Sequence, residues 1–305
     1  MKAIRMHEYG GADVLRYEDA PLPAFQPDEV LIRVAAASFN PIDAKIRQGL
    51  LMEHLPKTLP FVPGWDGAGV VEAVGQAVTH FAVGDEVFLM ADFAHGGTYA
   101  EWVAVNEIQV ALKPRTLSLL EAAALPMTAL TALTALRVAE LEAGQTILIH
   151  GGAGGVGTMA IQLAKARGAQ VITTASGAGL ALVQSLGAEV VIDYRTTAFQ
   201  DVVREVDVVL DLLGGQTQED SWGVLKRGGC LIATAQPPAP EKAEHYGVRA
   251  TFIFTQPNGA ALAEIAALVD AGKLRPIISR TLPLAEARQA HEGKGWQGKT
   301  VLVVA

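Results

Sequence analysis

Thr146-Ile147-Leu148-Ile149-His150-Gly151-Gly152-Ala153-Gly154-Gly155-Val156-Gly157 decides the architecture. Thr146 to His150 reads as a short apolar strand, and Gly152, Gly154 and Gly157 set G-x-G-x-x-G directly behind it. Thr158 to Arg167 then reads as a helix, ended by Gly168. A lone G-x-G-x-x-G carries little weight, but one placed between a strand and a helix has a physical purpose. The first glycine permits a sharp turn, the second lets bare backbone approach a pyrophosphate, and the third lets the helix lie close on the sheet. The helix start, with Gly155 and Val156 in the loop, offers free N–H groups and a partial positive charge to phosphates. A glycine-rich packing turn in an α/β protein is the plainer alternative.

Downstream the alternation continues. Gln170 to Thr174, Glu189 to Asp193, Asp207 to Leu213, Cys230 to Thr234 and Ala250 to Thr255 read as strands, with helical stretches such as Leu180 to Leu186 interleaved. Apolar strands alternating with helices predict a parallel sheet covered on both faces. Upstream, Val30 to Ala36, Gly67 to Val74, Glu86 to Met90 and Thr98 to Val105 are short strands split by glycine and proline, which predicts a small, partly open barrel. Leu119 to Leu141 reads as helix, with Pro126 starting a new segment or kinking the old one.

The chain has 305 residues, half of them hydrophobic and 18% charged, which is enough apolar material for two packed cores and excludes disorder. A net charge of −8 argues against nucleic acid as a partner. The single cysteine, Cys230, rules out an intrachain disulfide and a four-cysteine zinc lobe. No apolar run approaches the ~20 residues of a membrane helix and no secretory pattern opens the chain. No membrane association is expected, and the cytoplasm is the expected compartment.

The second strand of the alternating region ends Ile172-Thr173-Thr174-Ala175-Ser176-Gly177, without the carboxylate that would bind the ribose 2′-OH of NAD. Such a carboxylate would repel a 2′-phosphate, so its absence favours NADPH. Ser176 can donate to the phosphate, and Tyr194 and Arg195 follow the third strand, where they either reach the same pocket or form an ordinary strand-end pair. Thr174 and Leu213 close the second and fourth strands and join the cofactor-binding set.

Several further stretches carry a family resemblance: Asn40-Pro41-Ile42-Asp43 with Arg47 and Gly49, Pro63-Gly64-Trp65-Asp66-Gly67-Ala68-Gly69, Val83-Gly84-Asp85-Glu86-Val87 and Gly97-Thr98-Tyr99-Ala100-Glu101. Pro126 with Thr128 to Ala132 and Gly298-Lys299-Thr300-Val301-Leu302 complete it. With the glycine loop, and in this order, they resemble the zinc-independent quinone oxidoreductase branch of the medium-chain dehydrogenase/reductase superfamily. The resemblance implies an α/β fold. A GroES-like, partly open β-barrel catalytic domain would span residues 1–115 and 256–305, and a Rossmann doubly wound parallel sheet residues 116–255.

The resemblance also implies roles. Zinc-using relatives carry Cys where Asn40 stands and His-Glu where Trp65-Asp66 stand, so no metal is expected. Asn40 and Asp43 would lie near the nicotinamide and the acceptor. Asn40 would donate to a substrate carbonyl or bind the cofactor carboxamide. Asp43 would orient, paired with Arg47, or form a structural turn salt bridge. Thr131 matches a nicotinamide-contacting threonine, with Thr128 offering a neighbouring hydroxyl. Phe254 and Thr255 would end the sixth strand beside the nicotinamide ring, and Lys294 matches a basic cofactor contact. The sequence departs from the branch in reading Ala44-Lys45 after the aspartate, and Gly177-Ala178-Gly179 where a phosphate-binding lysine is common. The sixth strand, at the sheet edge, implies a homodimer.

Without a Lewis acid, the acceptor must already be electron-poor, as a quinone or enone is. Expected, then, is an NADPH-dependent reductase of quinones or activated carbonyls and alkenes. A 2-alkenal or enoyl reductase of the same fold and a non-catalytic NADPH-binding scaffold or sensor are the alternatives.

Overall fold

A computed structural model of the chain describes residues 1–293 and 297–304. In chain order the strands are β1 (Lys2–Met6), β2 (Leu15–Asp19), β3 (Glu29–Ser38), β4 (Asp66–Val74), β5 (Glu86–Met90), β6 (Trp102–Asn106) and β7 (Val110–Leu112). They continue as β8 (Thr146–Ile149), β9 (Gln170–Ala175), β10 (Val190–Asp193), β11 (Val206–Asp211), β12 (Leu225–Ala233) and β13 (Arg249–Phe252), and close with β14 (Ile278–Pro283) and β15 (Lys299–Val303).

The chain divides into two compact units. The first holds Met1–Leu130, Gln256–Gly272 and Pro276–Ala305, and the second holds Thr131–Thr255 and Lys273–Arg275. In the first, seven strands run in the order β14-β15-β3-β4-β5-β7, with β6 added on β3. Alternate residues of β3, Val30, Ile32, Val34 and Ala36, are buried, as a period of two requires of a strand with one face in a core. Leu302 of the returning tail packs with Ile4, Leu15, Tyr99 and Leu282, so the first and last segments share one core.

The second unit is a six-stranded parallel sheet in the order β10-β9-β8-β11-β12-β13. That is the 3-2-1-4-5-6 order of dinucleotide-binding sheets, which reverses direction beside β8. One face of its core gathers Leu148, Val209, Trp222 and Leu231. Burying each such side chain contributes about 1.5–3 kcal/mol.

Several boundaries differ from expectation. The helix after the glycine loop begins at Gly155, inside the loop, rather than at Thr158. β11 ends at Asp211, because the Asp211 carboxylate takes the N–H groups of Leu213 (2.9 Å) and Gly214 (2.9 Å) and turns the chain. β13 ends at Phe252, so Phe254 and Thr255 lie beyond it. Its one neighbour among the described residues, β12, stops at Ala233, and the last rung is Ile253 N–H to the Ala233 carbonyl (2.9 Å). Thr98 to Glu101 precede β6 rather than belonging to it.

Residues 116–130, expected with the nucleotide sheet, belong to the first unit. The short helix Leu119–Ala122 packs on β3, β4 and β5, and Asp66 caps the helix Pro126–Val138 by accepting the Met127 N–H (2.8 Å). Lys273–Arg275 go with the second unit, where Arg275 and Gln162 exchange two hydrogen bonds (3.0 and 3.1 Å).

Candidate functional site

In the second unit the glycine loop joins β8 to the helix Gly155–Ala166. The left-handed turn falls on Gly151 (φ 73°), not on Gly152. Gly152 is needed for another reason, since a Cβ there would run into the Thr173 hydroxyl. At Gly157 a Cβ would strike the loop's own backbone, 2.6 Å from the Gly152 Cα. At Gly154 it would meet only the Gly151 carbonyl oxygen, at 3.3 Å. Gly154 is also the N-cap and has no side chain to take up the first-turn N–H groups of Gly155, Val156 and Gly157. Open space in front of donors without a side-chain cap is what an approaching pyrophosphate requires.

Thr174 faces into the protein rather than toward a ligand. Its hydroxyl accepts the Gly151 N–H (3.2 Å) and lies 3.3 Å from His150 Nδ1, while its carbonyl accepts the Gly152 N–H (3.0 Å). The proton positions follow. Ser221 donates its one hydroxyl proton to the Thr217 carbonyl (2.6 Å), so at 3.0 Å it must accept from His150 Nε2–H. Nδ1 is then the acceptor for Thr174. Burial lowers the His150 pKa to about 4, against the pull of Asp211, and keeps the ring neutral. His150 and Thr174 thus brace the loop from behind.

Beyond β9 and β10, the Ser176 hydroxyl donates to the Tyr194 hydroxyl (2.8 Å). Arg195 follows, with Nη1 3.9 Å from where a Cβ on Gly177 would sit, and Tyr194 is 60% exposed. Three groups suited to a phosphate therefore gather at neighbouring strand ends. The exposed Leu213 reaches over the loop, its Cδ2 3.3 Å from a Cβ placed on Gly151. Thr131 and Thr255 pair through their hydroxyls at 2.7 Å, whereas the Thr128 hydroxyl is spent on the carbonyls of Ala124 (3.3 Å) and Leu125 (3.1 Å). Phe254 is partly exposed beside Thr255. Lys294 lies outside the described residues.

The first unit holds a second polar cluster. Asn40 precedes the helix Pro41–Arg47, and its N–H donates to Asp43 Oδ2 (2.9 Å). Asp43 is fully buried and takes its other partner from Tyr99, whose hydroxyl donates to Oδ2 at 2.8 Å. Oδ1 has no partner among the described residues. Burial raises the Asp43 pKa to about 7, opposed by the Asn40 N–H, Tyr99 and Lys299. The expected Asp43–Arg47 pair does not form, because the Arg47 guanidinium turns to the Gly10 carbonyl (2.9 Å). Lys45 is exposed. The Asn40 side chain is gripped at both ends: Nδ2 donates to Asp66 Oδ2 (2.9 Å), and Oδ1 accepts from Lys299 Nζ (2.6 Å).

The family model described as an alcohol dehydrogenase GroES-like domain matches residues 26–115, and one described as a zinc-binding dehydrogenase matches 186–302. The NADPH-dependent alkenal/one oxidoreductase of Arabidopsis thaliana chloroplasts is 40% identical over 95% of this chain and 75% of its own length. The quinone oxidoreductase from Coxiella burnetii superposes with a TM-score of 0.93 at 40% identity, covering 100% of this chain and 99% of that one. The chain belongs to the medium-chain dehydrogenase/reductase superfamily, in its quinone oxidoreductase branch. The Escherichia coli quinone oxidoreductase, solved with NADPH, superposes with a TM-score of 0.90 at 28% identity, with each chain covered in full.

Zinc-using members of the superfamily raise the question of a metal, and these residues do not fit one. Asn40 and Trp65 offer neither thiolate nor imidazole. Trp65 is buried, with its Nε1–H donated to the Asp92 carbonyl (3.0 Å). Asp66 has both oxygens committed, Oδ1 to Met127 and Oδ2 to Ser38 (3.1 Å), Asn40 and Lys299. Among the described residues no group of three or more His, Cys, Asp or Glu is arranged to hold a metal ion.

Sequence reasoning found Asn40 and Asp43 but missed Lys299, Tyr99 and His150 as parts of these clusters. Lys299 and Tyr99 stood in quoted motifs, yet their partners lie 259 and 56 residues away and leave no local signal. His150 closes the strand before the glycine loop, and that position was its one available sign.

Proposed function

We propose that the protein is an NADPH-dependent oxidoreductase that reduces quinones or α,β-unsaturated carbonyls without a catalytic zinc. The observation that carries this is the strand-end trio of Ser176, Tyr194 and Arg195, with no carboxylate closing β9, beside a glycine loop open at Gly154. Gly155, Val156 and Gly157 would hold the pyrophosphate through their N–H groups, and the trio would hold the 2′-phosphate. Thr131, Thr255, Leu213 and Phe254 complete the proposed nucleotide contacts. When bound, the reduced nicotinamide supplies the hydride. Asn40 supplies a fixed N–H donor for the acceptor carbonyl, and the buried Asp43 orients it from the next turn. A site that polarises by hydrogen bonds alone suits acceptors already electron-poor.

The relatives support the reading. One is an alkenal/one oxidoreductase by name, and another was solved with NADPH. We further place the protein in the cytoplasm as a homodimer joined through the free edge of β13. Among the described residues no helix is long and apolar enough to cross a membrane.

Steady-state NADPH oxidation against a panel of quinones and enones, run with and without a chelator, tests the proposal. Turnover of either class, undiminished by the chelator, is expected. Tight NADPH binding with no turnover of any acceptor would make the protein a dinucleotide-binding scaffold. Activity lost to the chelator and restored by zinc would refute the metal-free site.

A further inference from the structure

Lys299 opens β15 and is only 4% exposed. Its ammonium has three N–H donors, and each has a protein acceptor: the Phe39 carbonyl (2.8 Å), Asn40 Oδ1 (2.6 Å) and Asp66 Oδ2 (3.3 Å). A lysine buried without an anion would give up its charge. Here the fully buried Asp66 carboxylate stands 3.3 Å from the ammonium as its ion-pair partner.

The consequence falls on Asn40. A cation sits on its amide oxygen and an anion on its nitrogen, so the carboxamide has one orientation and cannot flip. Hydrogen bonds to charged partners are roughly twice as strong as neutral ones, and hydrogen-bonded chains polarise one another. A cation on the oxygen draws density from the nitrogen and makes the amide a better N–H donor, an effect that the Asp66 carboxylate on one N–H opposes at the other. Asp66 takes one of the two N–H groups. A neutral, apolar pair in place of Lys299 and Asp66 would fill the same volume but would not polarise the amide.

We propose that Lys299 is a positioning residue for the acceptor: its ammonium fixes and polarises the Asn40 carboxamide as the N–H donor to a quinone or enone carbonyl. The inference rests on the reductase reading above. A side-chain cation then does, through an amide, what a bound metal ion does directly in zinc-using relatives.

Lys299→Met alone leaves Asp66 buried and unpaired, so the variant to measure is Lys299→Met with Asp66→Asn, which removes both charges. The readouts are thermal midpoint, Kd for NADPH by titration, and kcat and KM for a series of quinones and enones ranked by electron deficiency. The double variant is expected to fold and to bind NADPH within about twofold of wild type. Its kcat should fall by about 10²-fold, as when a single oxyanion donor is removed. The loss should be larger for weakly electrophilic enones than for quinones, because a weak acceptor depends most on polarisation. Lys299→Arg, which keeps the cation, should retain at least about a tenth of kcat.

A double variant with wild-type kcat makes Lys299 a partner in charge balance only and overturns the inference. A kcat loss equal across all acceptors, or one matched by lost NADPH affinity, overturns it as well, by making the role structural. If the double variant does not fold, Lys299→Arg decides, and a loss of kcat beyond about tenfold in a folded protein contradicts the role. Wild-type protein that binds NADPH but reduces neither class refutes the parent reading and this inference together.

Discussion

Gly154 and Gly157 are two residues of one motif with opposite physical demands. A methyl group at Gly157 meets backbone that cannot move aside, so Gly157→Ala should lower the thermal midpoint and leave little folded protein. A methyl at Gly154 meets one carbonyl oxygen at 3.3 Å and adopts an ordinary backbone conformation (φ −77°, ψ 173°). Gly154→Ala should therefore melt within a few degrees of wild type, yet bind NADPH at least about tenfold more weakly, because the methyl fills the space the pyrophosphate needs. Differential scanning calorimetry and a fluorescence titration separate the two variants, and wild-type affinity in Gly154→Ala would contradict the loop's proposed use. At this scale the sequence told which residues lack a side chain, and their spacing gave them a purpose. It did not tell that the left-handed φ sits on Gly151, nor that Thr174 turns inward to His150, because those depend on what β9 and β11 bring alongside.

Among the elements, β13 is the one whose free edge matters. Among the described residues it is hydrogen-bonded to β12 on one side only, and its N–H groups alternate. Ile253 N–H points inward to Ala233, so the N–H groups of Ala250 and Phe252 point to the open edge. Ala250→Pro removes an outward donor while leaving the ladder to β12 in place. It should shift the proposed dimer to monomer in sedimentation or light scattering with the far-UV spectrum retained, and a wild type that is monomeric, or a variant that stays dimeric, would remove β13 from any interface. Element identity was legible here from apolar runs and punctuating glycines. Element ends were not: β11 is cut short by Asp211 folding back on its own N–H groups, and β13 by the end of its neighbour. A run of apolar residues records where a strand can go, whereas pairing records where it stops.

For the whole molecule, three buried groups with large shifts, Asp43, His150 and His291, weight the response to mild acid, and carboxylates held low by their partners, such as Glu189 and Asp207, add to the loss at lower pH. Asp43 is raised to about 7, so between pH 7 and about 4 the folded chain holds a proton the unfolded chain has lost, and acidification through that window favours folding. His150 and His291 are lowered by burial to about 4 and about 3, so below pH 6.5 the unfolded chain takes up protons that the folded one refuses. Two groups against one give a net loss, and the thermal midpoint should fall steadily from pH 6.5 toward pH 4. His291→Phe, which removes one of the two, should flatten that decline, and a midpoint that holds or rises at pH 5 would contradict these assignments. The α/β class, the parallel sheet and the strand–loop–helix setting of the glycine loop were all readable in the sequence, since each rests on local pattern. The lysine-centred cluster was not, because it joins residues from β3, β4 and β15 that only folding brings together. The proposed preference for NADPH rests on a 2′-phosphate held by Ser176, Tyr194 and Arg195 beside the open glycine loop. Calorimetric titration of wild type and Arg195→Ala with NADPH and NADH measures it directly. A charge-assisted contact contributes about 1.5–3 kcal/mol, which is about 10–100-fold in affinity. Wild type should prefer NADPH by that factor and Arg195→Ala should lose most of the preference, whereas equal affinities in wild type, or no binding of either nucleotide, would contradict the account.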